Sequence, residues 1–227
     1  MTFSGILAVA VPVPAALWFF YIRFKDRLKP EPLPLLVRTF VLGTGSAFLA
    51  VGAYWVLERA GITVSESSLV GPSLTAVPTA AAIGLVEESA KFLPVILFVY
   101  RRREFDEDFD GFVYAGVAAL GFAAVENWFL LARMNHNVVF VARAIVSPLT
   151  HALISAPWGL GMAAAKLRGR RWAIPVGLIV AAGCHGIFDF CLYREPPARF
   201  GSALIILALW AWFLWKSEHQ AAAPSTG

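Results

Sequence analysis

The stretch GLVEESAKFLP, residues 84–94, lies inside an otherwise apolar run from Leu74 to Tyr100. It places Glu87, Glu88 and Lys91 in the middle of a segment that is long enough to cross a membrane. A charged side chain at the centre of a membrane helix costs roughly 2.5–3.5 kcal/mol on insertion scales. Because crossing a bilayer requires no such charge, these three residues indicate a functional site inside a membrane protein.

The composition of the whole chain is that of a polytopic membrane protein. Of the 227 residues, 59% are hydrophobic and 15% are charged, whereas soluble domains average about 45–50% and about 25%. We predict an all-α transmembrane bundle in one domain, residues 1–227, with a motif-bearing core at about 74–192. Seven spans are expected, or eight if the third is broken or re-entrant, at about 3–22, 35–57, 74–100, 112–132, 140–165, 172–192 and 200–215.

The basic residues predict how these spans are oriented. Alternation brings most of them to one side, in the segments 23–38, 101–103 and 166–171 and at Lys216. The positive-inside rule makes that side cytoplasmic, so we expect an outer N-terminus and a cytoplasmic C-terminus in the plasma membrane. Because these charges mark the ends of spans, they indicate topology and contact with the lipid bilayer, and no nucleic acid partner is expected. The sequence predicts no oligomeric state.

Ionisable side chains recur inside four of the predicted spans. Besides the charges of the third span they are Glu126 with its neighbour Asn127, His151, and His185 with Asp189. At about 1.5 Å of rise per residue, these groups lie roughly 15–20 Å into a layer of about 30 Å. One shared interior site explains these matching depths better than separate helix–helix contacts do. Arg143 lies near the end of its span, and we expect it to reach the membrane interface.

Helical spacing suggests a division of labour between the paired glutamates. Glu87 and Lys91 are four residues apart and therefore share a helix face, as do His185 and Asp189. Glu88 points about 100° away from Glu87. We therefore expect Lys91 to neutralise Glu87, and Glu88 to face a water molecule or a metal ion.

The order of these residues is similar to that of a known family. Glu87-Glu88-x-x-Lys91, Phe122-x-x-x-Glu126-Asn127, His151 and His185-x-x-x-Asp189 together resemble the PrsW family of intramembrane proteases. The segments DGFVY (110–114) and GFAAVEN (121–127) are especially similar. The match covers about residues 84–190, half of the chain.

The resemblance implies proteolysis within or beside the membrane. The implied substrate is a single-span membrane protein, such as an anti-sigma factor that is cut on its extracytoplasmic side. Related CAAX prenyl endopeptidases have an arginine at the place of Lys91 and a histidine at that of Glu126, so the chain is closer to the PrsW type. In those relatives the first glutamate of the pair is the active one, so the choice between Glu87 and Glu88 stays open.

Peptide hydrolysis would assign a role to each of these side chains. Glu87 or Glu88, with Glu126, would position and deprotonate the water, while His185 and Asp189 would polarise the carbonyl or protonate the leaving amine. A divalent ion, with Zn²⁺ favoured, would take part of this work. Its expected ligands are Glu88, Glu126, His151, His185 and Asp189, with Lys91 and Asn127 in support.

Three other interpretations remain open at this point. Metal-free glutamate chemistry predicts nearly the same residues. A proton- or cation-coupled transporter or channel would also place Glu, His and Lys inside a membrane. A non-catalytic scaffold would tolerate alanine at every one of these positions.

Overall fold

The structure of the protein is a computed structural model, which describes residues 3–70, 73–134 and 138–219. The described part contains no β-strand, so the expected all-α class is confirmed. Its helices are α1 (Phe3–Ala10), α2 (Pro12–Lys25), α3 (Leu33–Arg59), α4 (Ser73–Phe98), α5 (Asp108–Leu131), α6 (Val138–Arg168), α7 (Ala173–Leu192) and α8 (Arg199–His219). One turn of 3₁₀-helix, Glu66–Leu69, precedes α4.

The helices follow the predicted spans closely. Helices α1 and α2 form one span that is interrupted at Val11, where two prolines begin α2. Among the described residues, six helical segments are long and apolar enough to cross a membrane: this first one, α3, α5, α6, α7 and α8. Helix α4 is not among them, because its three central charges lower its hydropathy. It is nevertheless one continuous helix through Pro78 and Pro94, so the break considered for this span does not occur.

Helix α5 forms the centre of the bundle. Almost its whole first half is buried, and it packs against α2, α3 and α6. Small residues permit this packing: a Cβ atom on Gly111 would lie 2.2 Å from the carbonyl oxygen of Gly159 in α6. The helix begins where Asp110 accepts the backbone N–H groups of Asp106 and Glu107, at 2.7 and 2.6 Å. This cap satisfies N–H groups that have no partner within the helix.

Alternation of the helices gives the bundle two ends. The Arg59 end carries the last residues of α3, α5 and α7 and the first residues of α4, α6 and α8. The Lys25 end carries the opposite termini, and there Lys29 pairs with Asp106 at 2.7 Å between the α2–α3 and α4–α5 loops. The polar residues of the spans meet between these two ends.

Candidate functional site

Four helices bring the predicted polar residues into one cluster. They are Glu87, Glu88 and Lys91 from α4, Glu126 and Asn127 from α5, His151 from α6, and His185 and Asp189 from α7. Every one except Glu126 and Asp189 is classed as buried. Asn127 lies beside Glu126, and its Oδ1 atom has no hydrogen-bond partner in the described part of the chain. All the other members contact one another, directly or through Lys91, as the matching depths predicted.

Lys91 lies at the centre of the cluster and pairs chiefly with Glu88. Its Nζ atom is 2.8 Å from Glu88 Oε1, 3.5 Å from Glu87 Oε2 and 2.9 Å from His151 Nδ1. The ammonium also lies 4.3 Å from the ring centroid of Phe122, within the range of a cation–π interaction. The expected pairing is therefore wrong: Glu88 is the closer partner of Lys91, and Glu87 is the freer glutamate.

Glu88 is fully buried and held by four donors. Its Oε1 atom lies 2.9 Å from His185 Nδ1 as well as close to Lys91, and its Oε2 atom accepts hydrogen bonds from Ser155 at 2.7 Å and from Trp158 at 2.9 Å. The sequence analysis missed Ser155 and Trp158. A signal existed, because the two follow His151 at the fourth and seventh positions and therefore share its helix face. These contacts leave Glu88 without a free oxygen for a water molecule.

The ring of His185 is held in its orientation by Glu88. Because a carboxylate accepts, His185 Nδ1 carries a hydrogen. The other ring nitrogen, Nε2, faces two further carboxylates, with Glu87 Oε2 and Asp189 Oδ2 each 3.6 Å away. A histidine held through one nitrogen by a carboxylate presents the other nitrogen as a base or a metal ligand.

The ring of His151 joins Lys91 to Glu126. Because the Lys91 ammonium only donates, His151 Nδ1 accepts and Nε2 carries the hydrogen, 2.7 Å from Glu126 Oε2. Arg143 lies 3.2 Å from Glu126 Oε1. The expectation that Arg143 reaches the membrane interface is therefore wrong, because this carboxylate holds its guanidinium inside the bundle. The two histidine rings lie 5.3 Å apart, nearly perpendicular.

Glu87 receives a short hydrogen bond from α3, a helix with no predicted site residue. Tyr54 of α3 donates to Glu87 Oε1 at 3.1 Å. Nothing in the sequence relates Tyr54 to the motifs, since it lies more than thirty residues away and in another span. The contact leaves Glu87 Oε2 facing His185.

A cavity of about 560 Å³ adjoins the cluster. Glu126, His151, His185 and Asp189 line one part of it, and the rest is mostly apolar. The apolar lining comes from the end of α5, the start of α6, the end of α7 and the start of α8, so the cavity extends towards the Arg59 end. A pocket with a few convergent polar groups in an apolar lining is typical of a binding site.

Three of the clustered residues lie close enough together to hold a metal ion. Single ligand atoms of Glu87, His151 and His185 all lie within 4.8 Å of one another, which is the one such group among the described residues. Two imidazoles and one carboxylate are a donor set of catalytic zinc sites. The expected ligand set was different: Glu88 is saturated by other donors, and Glu126 and Asp189 lie outside this group.

Comparison with known proteins identifies relatives over nearly the whole chain. A family model described as "PrsW family intramembrane metalloprotease" matches residues 31–215. Protease PrsW of Geobacillus kaustophilus (strain HTA426) is 35% identical over 222 residues, covering 96% of this chain and 92% of the relative. Protease PrsW of Bacillus subtilis (strain 168) is 33% identical over 224 residues, covering 96% of each. Protease PrsW of Clostridioides difficile (strain 630) is 29% identical over 211 residues, covering 90% and 84%. No solved structure matches the chain.

Proposed function

Because the chain belongs to the PrsW family of intramembrane metalloproteases and is a multi-pass membrane peptidase, we propose that it hydrolyses a peptide bond at the cluster of Glu87, His151 and His185. One observation carries this assignment. The three side chains come from three helices, their ligand atoms lie within 4.8 Å of one another, and His151 and His185 line a cavity that can hold part of a substrate. A buried group of titratable residues beside a cavity is a common signature of an active site.

In this mechanism Glu87 accepts the proton of the attacking water. It is the glutamate of the pair with an oxygen left for this purpose, since Tyr54 holds Oε1 while Oε2 faces His185. Glu88 acts as a positioning residue, because it fixes the ring of His185 and neutralises Lys91. This assignment reverses the expectation that was based on helical spacing alone.

His151 and His185 act on the peptide group. The His151 Nε2–H, which lies beside Glu126 Oε2, passes its proton to the leaving nitrogen as the carbon–nitrogen bond breaks, while His151 Nδ1 takes a proton from Lys91. His185 and Asp189 border the cavity and orient the water and the carbonyl. The proton taken by Glu87 returns to Lys91, whose Nζ lies 3.5 Å from Glu87 Oε2, before the next turnover.

The donor set also suits a divalent metal ion. Glu87, His151 and His185 would hold an ion such as Zn²⁺, which supplies Lewis-acid activation of water and of the carbonyl when bound. His185 is already oriented for this role by Glu88. His151 would have to release Lys91 or Glu126, because both of its nitrogens are engaged.

Because both nitrogens of His151 already have partners, a metal-free glutamate mechanism is the second candidate. The two versions are separated by the metal content of the purified protein and by exhaustive chelation. Stoichiometric zinc, with activity lost on chelation and regained on adding zinc, supports the metal-assisted version. Full activity in protein that elemental analysis finds free of metal supports the metal-free version.

The proposed substrate is a single-span membrane protein that resembles an anti-sigma factor. We place the Arg59 end of the bundle outside the cell, because the basic loops collect at the Lys25 end. The cavity extends towards the Arg59 end, which fits cleavage near the outer surface of the membrane.

Three variants in liposomes test this function against a matched control. Glu87→Gln, His185→Ala and Glu126→Ala are expected to lower cleavage of a single-span reporter by at least about 100-fold. Glu58→Gln changes an exposed glutamate at the end of α3 and should leave cleavage unaltered. Reporter cleavage at the wild-type rate by all three variants would contradict the proposal. Ion flux that depends on Glu87, without any cleavage, would indicate a transporter or channel instead.

A further inference from the structure

The cavity beside the cluster extends from the two histidines towards the Arg59 end of the bundle. Its lining runs from His151 to Val139 in α6 and from His185 to Leu192 in α7. At about 1.5 Å of rise per residue, these stretches span about 18 Å and about 10 Å. A substrate whose scissile bond lies at the histidines must continue over this distance before it leaves the cavity.

Arginines collect where the cavity ends. Each of them lies within three positions of a residue that lines this part of the cavity, and the lining neighbours are Met134, Tyr193 and Ser202. We call these arginines the basic rim: Arg133 after α5, Arg194 after α7 and Arg199 at the start of α8. The sequence of the two connections that lead to α6 and α8 contains one acidic residue, Glu195. The basic rim therefore has an excess of positive charge.

The basic rim runs against the charge pattern that orients the protein. Basic residues near the ends of spans are disfavoured on the outer side of a membrane, and in this sequence most of them lie at the Lys25 end. Of the basic residues at the Arg59 end, only Arg59 itself lies away from the cavity in the sequence of the connections. Topology does not explain this concentration beside the cavity, so it indicates a role in binding.

The contacts of the rim arginines orient the guanidinium groups without neutralising their charge. Arg199 Nε donates to the backbone carbonyl of Arg194 at 2.9 Å, and the guanidinium of Arg194 lies 4.4 Å from the ring centroid of Phe190. The ion pair of Arg199 with Glu195 has an N–O distance of 3.9 Å, and both side chains are exposed. Such exposed pairs are weak. Arg133 is exposed as well.

The inner part of the cavity carries carboxylates instead. Glu126 and Asp189 line it, and the arginine there, Arg143, is paired with Glu126 at 3.2 Å. An acidic side chain next to the scissile bond would therefore meet like charges, whereas one at the rim would meet arginines. An extended chain covers the about 10–18 Å between the two parts in roughly three to six residues. The effect of a substrate's charge should thus depend on its position.

We propose that the basic rim binds an acidic segment of the substrate, centred about five residues from the scissile bond. This interaction surface rests on the proposed proteolytic function. Its occupant is the part of the substrate that leaves the membrane at the Arg59 end, with Asp or Glu side chains facing Arg133 and Arg199. Charge complementarity of this kind speeds the encounter and fixes the register, so it selects which bond reaches the histidines.

Single-span reporters that differ only in the position of their acidic residues test this surface. Mass spectrometry first locates the bond that is cut in a reporter with serines in its outer segment. Aspartates then replace the serines at about residues 4–6 from that bond, or about ten residues further out. Binding is measured in liposomes by fluorescence energy transfer to the Glu87→Gln variant, and cleavage is measured with the wild type. The near aspartates should tighten binding at least about fivefold over both other reporters, and about 0.5 M salt should reduce this advantage.

Charge reversal at the rim is the second arm of the test. Arg133→Glu combined with Arg199→Glu should make the near-aspartate reporter bind more weakly than the serine reporter. Arg59→Glu makes the same change at the same end, on α3 and outside the cavity lining, and should keep the preference for aspartate.

Equal binding of the near-aspartate and serine reporters to the protein with an intact rim would overturn the proposal, whether or not the rim variants fold. A preference for aspartate that survives both substitutions at the rim would also overturn it. Binding that follows the predicted charge and position, with no cleavage of any reporter, would support the basic rim and contradict the proteolytic function.

Discussion

At the scale of single residues, Glu87 and Glu88 differ in the number of hydrogen-bond donors that contact each carboxylate. Four donors surround Glu88, whereas Glu87 has a short hydrogen bond from Tyr54 and two longer contacts, to Lys91 and His185. Adjacent glutamates with the same chemistry thus have separate tasks. Glu88 holds the cluster together, and Glu87 is the glutamate that we propose acts on the water.

Conservative substitutions should separate these tasks. Glu88→Gln leaves the buried Lys91 without its closest anion, and breaking a buried ion pair costs about 3–5 kcal/mol, so the unfolding temperature should fall markedly. Glu87→Gln keeps the hydrogen bond from Tyr54 and should change stability little while cleavage falls by at least about 100-fold. Thermal unfolding in detergent and reporter cleavage measure the two effects. A destabilised Glu87→Gln together with a stable, inactive Glu88→Gln would contradict this division.

The sequence predicted the members of the cluster but not their pairing. Membership followed from depth, because an ionisable group in a membrane span requires a partner at its own level. The pairing failed because residues three and four apart both share a helix face. The flexible side chain of Lys91 reaches Glu88 at the third position more closely than Glu87 at the fourth. Ser155 and Trp158 of α6 also donate hydrogen bonds to Glu88, and they hold its carboxylate in place beside Lys91.

At the scale of elements, the contact between α4 and α7 sets the distance from the glutamates to His185. Gly84 and Gly186 allow the two backbones to approach, since a Cβ on Gly84 would lie 2.8 Å from the Gly186 nitrogen. The close approach lies one turn from Glu87 and Glu88 along α4 and next to His185 in α7. Packing of the pair and geometry of the site are therefore linked.

A matched pair of glycine substitutions should expose this link. Gly84→Ala forces α4 and α7 apart, and overpacking costs about 1–3 kcal/mol, so both the unfolding temperature and cleavage should fall. Gly183→Ala adds the same methyl group to α7 where nothing lies within 4 Å, and it should be neutral or slightly stabilising. If the two variants behave alike in both assays, this backbone contact does not position the site.

The loop between α2 and α3 carries buried acids outside the spans. Burial raises the pKa of Asp26 to about 7 and that of Glu31 to about 8, from ordinary values of 3.8 and 4.5. Asp26 accepts the backbone N–H of Glu31 at 2.8 Å, and Tyr114 of α5 donates to Glu31. The carboxyl groups of Asp26 and Glu31 therefore bind their protons more tightly in the folded protein than in the unfolded chain. The stability that they contribute is complete below about pH 4 and is lost as the pH rises to about 8.

Glu31→Gln should flatten this pH dependence. The amide imitates the protonated carboxyl and still accepts from Tyr114, so the unfolding temperature should fall less between about pH 5 and about pH 8 than it does for the wild type. The variant should also be more stable than the wild type at the upper pH. A wild-type unfolding temperature that rises over this range, or an equal slope in the variant, would contradict the role of Glu31.

At the scale of the whole molecule, the hydropathy and charge of the sequence were sufficient to predict an all-α membrane bundle. Blocks of about twenty apolar residues predicted the helices because a membrane helix satisfies all of its own backbone hydrogen bonds. The interruption at Val11 and the cavity were not predictable, because they depend on how side chains of distant helices fit together. The hydrogen bond from Tyr54 to Glu87 was not predictable for the same reason.

The orientation of the molecule is a prediction that labelling can check. With Cys184 and Cys191 replaced by serine, Ile62→Cys places a thiol in an exposed loop at the Arg59 end and Glu104→Cys places one at the Lys25 end. A membrane-impermeant maleimide should label intact cells at position 62 and label position 104 only after lysis. The reverse pattern would place the cavity on the cytoplasmic side.

Hydrolysis at the cluster of Glu87, His151 and His185 is tested most directly in water that carries a heavy isotope of oxygen. The purified protein and a single-span reporter, together in liposomes in such water, should yield fragments of which one carries a single heavy oxygen in its new carboxyl group. Mass spectrometry should find this product with the wild type, and at least about 100-fold less of it with an equally folded Glu87→Gln variant. Equal amounts of labelled product from both proteins would contradict the central role of this cluster.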